Sequence, residues 1–266
     1  MIRLLHIEWL KIKSNVGFWV ILVLYAIGVY MVCSLGTVLM NATVNISSSG
    51  SEPMDLPPEL NIYNFPNVWH NLTYMGSWVK ILLGVAMIVL ITNEYSFKTQ
   101  RQNIIDGFTR IEITGSKLLV SVLLAILATG LMYGLVMYFG LRYTDGPGNV
   151  LFQKSDFLLG YFVQVLAFLS FAVFIAHLFK SAGLAIVFSF AYILFLEAII
   201  RIFLPEGLFT DLMPSKAMDN LIQAPFNLFD PESTQEYVNM GQLTIAAGWI
   251  LVFNALTYLI LKRRDS

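Results

Sequence analysis

Six continuous apolar runs constrain this chain more than any other feature: Gly17 to Met40, Tyr74 to Thr92, Leu118 to Phe139, Phe157 to Phe179, Ala182 to Phe203 and Leu243 to Leu261. Each is about 20 residues long, enough for a helix to cross the hydrocarbon core of a bilayer. Barrel strands are excluded because they alternate apolar and polar residues with period two, whereas these runs are apolar throughout. Only 12% of the residues are charged, 57% are hydrophobic and mean hydropathy is +0.71, too few charges to cover a soluble globule. The expected fold is an all-α membrane protein with six transmembrane helices. An interfacial helix precedes them over residues 1–16, a polar helix lies between helices two and three, and short outer helices lie between helices five and six.

Orientation follows from the cations. With the amino terminus inside, Arg3, Lys11, Lys13, Lys98, Arg101, Arg110, Lys117, Lys180, Lys262, Arg263 and Arg264 face the cytoplasm. Lys80, Arg142, Lys154, Arg201 and Lys216 face out, and this eleven-to-five split predicts cytoplasmic termini. A net charge of −1 and a pI near 6.3 argue against a nucleic-acid partner. The single cysteine, Cys33, lies within the first run, where it builds neither a disulfide nor a metal cluster and reads as a small packing residue.

Residues 1–16 place Ile2, Leu5, Trp9, Ile12 and Val16 on one helical stripe with Arg3, Lys11 and Lys13 off it, the pattern of a helix lying in the inner interface. The first outer loop, rich in Ser, Pro and Gly, carries glycosylation-type triplets at Asn41, Asn45 and Asn71. In the last outer segment, 204–242, Leu208, Phe209, Leu212 and Met213, then Met218, Leu221 and Ile222, have helical spacing interrupted by Pro214 and closed by Pro225. No internal repeat or second domain is visible, so residues 1–266 read as one membrane domain.

Catalytic and metal motifs are missing from the sequence. It has no P-loop, since Gly115-Ser116-Lys117 has the letters in the wrong order, and no H-E-x-x-H or G-x-S-x-G. His6, His70 and His177 are widely separated and lack metal-ligand spacing. The expectation is a chain without covalent chemistry, catalytic residues, resident metal or cofactor.

Charge inside the apolar runs marks the next candidates. Glu197 and Arg201 stand four apart on the fifth helix, where they can neutralise one another. Lys80 lies about a turn and a half into the second run; it either snorkels to the outer headgroups or provides a polar point on a substrate path, with Glu197 as a possible partner. Gly130 and Gly134, and Gly28 with Gly36, suit close approach of helices within the bundle or, for a bolder reading, at a dimer seam.

The stretch Asn93 to Lys117, NEYSFKTQRQNIIDGFTRIEITGSK, is a polar element between two membrane helices with four cations. A helix from about Glu94 to Asp106, its amino-terminal dipole favouring Glu94, is expected to stop at Gly107 and to present side chains to a groove on a partner. Glu94, Thr99, Gly107-Phe108-Thr109-Arg110, Glu112 and Lys117 fall at the offsets of the corresponding loop in ABC transporter permeases of the type 2 exporter class. The chain resembles that family also in helix count, inside termini, amphipathic start and long last outer loop. Lys98, Gly107 and Ser116 stand where Gly, Pro and Gly are common in the family.

The resemblance implies a coupling helix over 93–116, with Glu94, Thr99, Arg101, Gly107, Arg110, Glu112 and Lys117 as ATPase-coupling residues. It also implies a cytoplasmic ATPase dimer binding ATP and Mg, a second permease copy or related subunit, and a bacterial inner membrane as location. Two rivals remain open on the residues alone. One is an ion-gradient-driven secondary transporter, for which the runs offer only scattered polar candidates such as Asn254; the other is a membrane scaffold anchoring a cytoplasmic partner.

Overall fold

The computed structural model describes residues 2–47, 62–144, 148–203, 211–225 and 235–263, with the side chains of 2–6, 38–47, 101, 198 and 201 outside the description. Among these residues the chain is helical and has no strand. Helix α1 spans Ile2–Ser14 and α2 spans Val16–Ser47, separated at Asn15, whose Oδ1 accepts from the amide of Phe18 at 3.1 Å. Then follow α3 (Val68–Ser77), α4 (Lys80–Ser96), α5 (Thr99–Ile105), α6 (Arg110–Tyr143) and α7 (Asp156–Phe179). Helix α8 (Ala182–Ala191) runs through a π turn at Tyr192–Leu196 into α9 (Glu197–Phe203); α10 (Pro214–Asp219) and α11 (Met240–Arg263) complete the order.

Four helical segments are long and apolar enough to cross a membrane: Val16–Thr37, α6, α7 and α11. The predicted second span is broken: α3 and α4 meet at 42°, and together they form a fifth candidate span. The predicted fifth run is a shorter apolar helix, Ala182–Leu196, continued by α9. Such helices suggest a membrane protein.

Helix α7 occupies the centre, packed against α3, α4, α6, α8, α10 and α11. Its sequence is apolar on every side, which suits a helix with neighbours all round. Tyr161 on α7 bonds the hydroxyl of Tyr25 on α2 at 2.8 Å, and Ser170 accepts from Asn254 Nδ2 of α11 at 3.3 Å. Asn254, a candidate polar point on the sequence, therefore helps to join two helices. Cys33 is fully buried against the Tyr63 hydroxyl, which donates to its carbonyl at 2.6 Å.

The glycines divide according to what lies over them. A Cβ at Gly36 would stand 2.6 Å from Tyr63 Oη, and one at Gly28 3.1 Å from Val79 Cγ1, so this pair serves close packing of α2 as predicted. Gly130 and Gly134 do not: both are exposed and nothing lies within 4 Å of an added Cβ. Packing inside this bundle is therefore not their role.

These distances separate two substitutions on one helix. In Gly140→Ala the new methyl would meet the Phe65 ring at 2.5 Å, and the variant is expected to lose about 1–3 kcal/mol of stability. Gly134→Ala, in open space, is expected to be neutral or to gain up to about 1 kcal/mol from helix propensity. Thermal melting of the detergent-solubilised proteins checks both.

Candidate functional site

At one end of the bundle the polar stretch folds into a short helix held between two left-handed backbone positions. Helix α4 ends at Ser96, Lys98 adopts φ 57°, and Thr99 Oγ1 bonds the Glu94 carbonyl at 3.4 Å before α5 begins. The predicted continuous helix from Glu94 to Asp106 is corrected here: Lys98 interrupts it, and Glu94 belongs to the last turn of α4. A residue at positive φ costs least as glycine, so Lys98 occupies a turn that glycine would favour. At the far end Gly107 has φ 89°; its amide donates to Ile104 O at 3.0 Å and that of Phe108 donates to Asn103 O at 3.1 Å. This is the paired bonding that closes a helix on a glycine.

Helix α6 then starts with a capping box. The Glu112 amide donates to Thr109 Oγ1 at 3.3 Å, while the Thr109 amide donates to Glu112 Oε2 at 2.8 Å. Glu112, expected as a coupling residue, thus fixes the start of α6 through a T-x-x-E spacing that the sequence reading did not use. Arg110 opens that helix half-buried, and the side chain of Arg101 lies outside the described residues. Phe97 and Ile105 are each 77% exposed at the two ends of α5, and Ile111 is 67% exposed just beyond.

Glu94 and Lys117 are not on this outer surface. Both are buried, at 5% and 1% exposure, and form a closed charge cluster with Glu8 and Lys11 of α1. Lys117 Nζ donates to both oxygens of Glu8 at 2.8 Å and to Glu94 Oε1. Lys11 Nζ reaches Glu8 Oε1 at 3.3 Å and Glu94 Oε1 at 3.2 Å, and Ser116 Oγ donates to Glu8 Oε1 at 3.3 Å. Two carboxylates and two ammonium groups cancel, with Glu8, Glu94 and Lys117 buried and Lys11 closing the set from a partly exposed position. Glu94 and Lys117, expected as coupling residues, turn inward and join α4 and α6 to α1.

Sequence reasoning missed Glu8 and Lys11 as members of the site. Their i, i+3 spacing was visible, but the long-range partners were not. Of the predicted amino-terminal stripe, Trp9 on α1 is 53% exposed and Val16, which starts α2, is 74% exposed, while Glu8 faces the protein. Burial works to raise the carboxyl pKa of Glu8, and the nearby Lys117 and Lys11 outweigh it, leaving the pKa below its ordinary value.

A second group of charges lies at the opposite end. Lys80 Nζ pairs with Asp219 Oδ1 of α10 at 3.2 Å, not with Glu197 as one sequence reading had it. Glu197, 1% exposed, accepts the amides of Ser215 and Lys216 at 3.0 and 2.9 Å, so its carboxylate holds the amino-terminal end of α10. Arg201, its predicted partner, has its side chain outside the described residues. Pro214 starts α10 at its first turn instead of interrupting a helix, since a missing amide costs nothing there. Residues 204–210 and 226–234 of the predicted outer helical segment, including Leu208 and Phe209, lie outside the described residues.

No protein-family model matches the chain, and a search of curated proteins finds no match. Among the described residues no group of His, Cys, Asp and Glu has the arrangement of a metal site.

The charge cluster makes a signed prediction. Lys117→Met leaves two buried carboxylates against one lysine and should cost about 3–5 kcal/mol. Adding Glu8→Gln, which leaves the balanced pair Lys11–Glu94, should restore part of the loss in melting experiments, as a coupled pair requires. Because the folded pKa of Glu8 is depressed, its contribution is present above the unfolded value and is lost as pH falls through the folded one. Amide exchange in α1 should therefore accelerate below the ordinary carboxylate range in the wild type, and already at neutral pH in Lys117→Met.

Proposed function

We propose that the chain is the membrane-spanning permease subunit of an ABC exporter of the type 2 class, driven by a separate ATPase dimer that binds ATP and Mg. The observation that carries this reading is α5: a one-to-two-turn helix set between left-handed positions at Lys98 and Gly107, with Phe97 and Ile105 turned outward. Large apolar side chains exposed on a polar loop are costly in water and favour contact with another protein. The offsets from Glu94 through Thr99, Gly107, Arg110 and Glu112 to Lys117 support the same assignment.

In this reading the bundle crosses the membrane six times. The fifth crossing is α8, the π turn and α9, whose 22 residues from Ala182 to Phe203 extend about 30 Å at helical rise. Both termini and α5 face the cytoplasm, as the cation distribution requires, and α10 lies on the outer side of a bacterial inner membrane. Two copies, or this chain and a related subunit, enclose the export path.

The mechanism follows from what α5 is tied to. ATP-driven closure of the ATPase dimer displaces α5, and the short, doubly capped connection passes the displacement to the ends of α4 and α6. The Glu8–Lys11–Glu94–Lys117 cluster adds α1 to the moving unit, because separating these charges would leave them unpaired at low dielectric. The bundle then shifts between two states, biased by the nucleotide state of the partner. No nucleotide chemistry occurs on this chain.

Two experiments check the reading. The tagged chain purified gently from its native membrane should bring ATP-hydrolysing activity with it, whereas the chain produced alone in a foreign host should show none. Ile105→Asp combined with Arg110→Glu should reduce the associated activity by at least about tenfold, as for a hot-spot residue, with the melting profile unchanged; Glu236→Lys at the other end should not. Activity retained in the double variant refutes the coupling assignment. For topology, in a Cys33→Ala background, Asn239→Cys should react with an impermeant maleimide on intact cells, and Ser96→Cys only after permeabilisation.

A further inference from the structure

Beside the break between α3 and α4 lies a cleft of about 610 Å³, lined by Tyr74 before the bend, Trp78 in it and Lys80 and Ile81 after it. Helix α10 forms the facing wall through Ser215, Lys216 and Asp219, and Ile193 and Leu194 of the π turn close one flank. The Phe168 ring is the floor; it lies so close to α4 that a Cβ added at Gly84 would stand 2.5 Å from it. Beyond the ring only about 10 Å³ is free beside Gly84 and Ile88, so the cleft ends at Phe168 and suits a compact occupant. Its volume is that of a small-molecule site, and a discontinuous membrane helix beside a cavity is a recurrent way of building one.

The polar groups decide what charge the occupant carries. Lys80 and Lys216 are set against Asp219 on the wall, Glu197 behind it on the amides of Ser215 and Lys216, and Asp211, which accepts from Asn220 Nδ2 at 3.5 Å. Neither sign dominates among the described residues, so the cleft does not select a ligand by net charge. What it offers is one ion pair of unequal exposure: 11% of the Lys80 side chain is exposed and 64% of that of Asp219, at an Nζ to Oδ1 distance of 3.2 Å. A pair whose acid is open to water is weakly held, so Asp219 can release Lys80 to an incoming carboxylate. A ligand bearing only that carboxylate would set Asp219 beside a second anion, whereas one that also bears a cation answers both members. Lys80 lies deep and Asp219 outward, which fixes the direction of such a ligand. The remaining wall is apolar and aromatic, with Tyr74 and Trp78 meeting edge to face at 6.4 Å.

We propose that the cleft binds a compact zwitterion with an apolar body, of the class of short apolar peptides with free termini. Its carboxylate lies on Lys80, its ammonium on Asp219 and its side chains against Trp78, Phe168 and Ile193. Insertion replaces one ion pair by two and leaves no member of the original pair unanswered. The site needs only this chain and does not rest on the ATPase-coupled reading; binding is measured without ATP, so either can fail alone.

The test uses the purified chain in phosphatidylcholine nanodiscs and trileucine whose central residue is photo-leucine, a diazirine probe with both termini free. Adducts mapped by mass spectrometry should fall on segments 74–81, 193–194 and 215–224. Acetylating the amine or amidating the carboxylate of the probe should each lower their yield about tenfold, the worth of one hydrogen bond to a charged group. Asp219→Asn, at an exposed position, should reverse the preference with the melting profile unchanged, so that the acetylated probe labels better than the free one. Equal labelling of the wild type by the free, acetylated and amidated probes overturns the proposal, because the cleft would then take any apolar compound; this comparison decides even where the variant melts early. Adducts outside these segments, or an unchanged preference in folded Asp219→Asn, overturn it as well.

Discussion

The structure depends on the rule that charge leaving water must be cancelled where it is buried. Glu8, Lys11, Glu94 and Lys117 come from three helices, and each of the buried three, Glu8, Glu94 and Lys117, would be costly without an opposite charge. Together they form a neutral set with Ser116 as an additional donor. That set determines where α1 can lie. An amphipathic helix that would otherwise rest loosely against a surface is registered against the ends of α4 and α6, and the segment between those two ends is α5. Such clusters add little net stability, because their attraction is largely spent on desolvation, whereas removal of one member leaves an uncompensated buried charge.

The opposite end obeys the same rule with different partners. Glu197 neutralises the amino-terminal end of α10 through two backbone amides, and Asp219 at the other end of that short helix takes Lys80. A six-residue helix has little stability of its own. Charge at both ends, together with burial of Ala217 and Met218, fixes it against α7 and α11. The cleft results from this arrangement: α10 covers the helices without filling the space beside the π turn.

Parts of this were legible in the sequence because the signal was local. Gly107 ended the helix where a glycine terminator was expected, and Thr109 and Glu112 carried the capping box in their spacing. The break at Lys98 was hidden, since nothing about a lysine announces a left-handed backbone. Lys80 was given the wrong candidate partner for a similar reason: periodicity places residues on a helix face but does not say which loop folds back over it. Gly130 and Gly134 have the spacing of a packing motif, yet they face outward, and only the positions of neighbouring helices distinguish the two cases.

The amino-acid order by itself determined the apolar helices, their approximate limits and the polar segment between the second and third of them, because continuous hydrophobicity of about 20 residues and glycine or Thr-x-x-Glu punctuation act over a few turns of chain. The tertiary structure alone decided that Glu94 and Lys117 turn inward, that Glu8 and Lys11 complete their charge, and that Lys80 and Glu197 are divided between the two ends of α10. Those choices involve residues from 18 to 139 positions apart, among them Lys80 with Asp219 and Ser215 with Glu197. Buried charge has to find an opposite charge or a free amide in space, and distance along the chain does not enter that requirement.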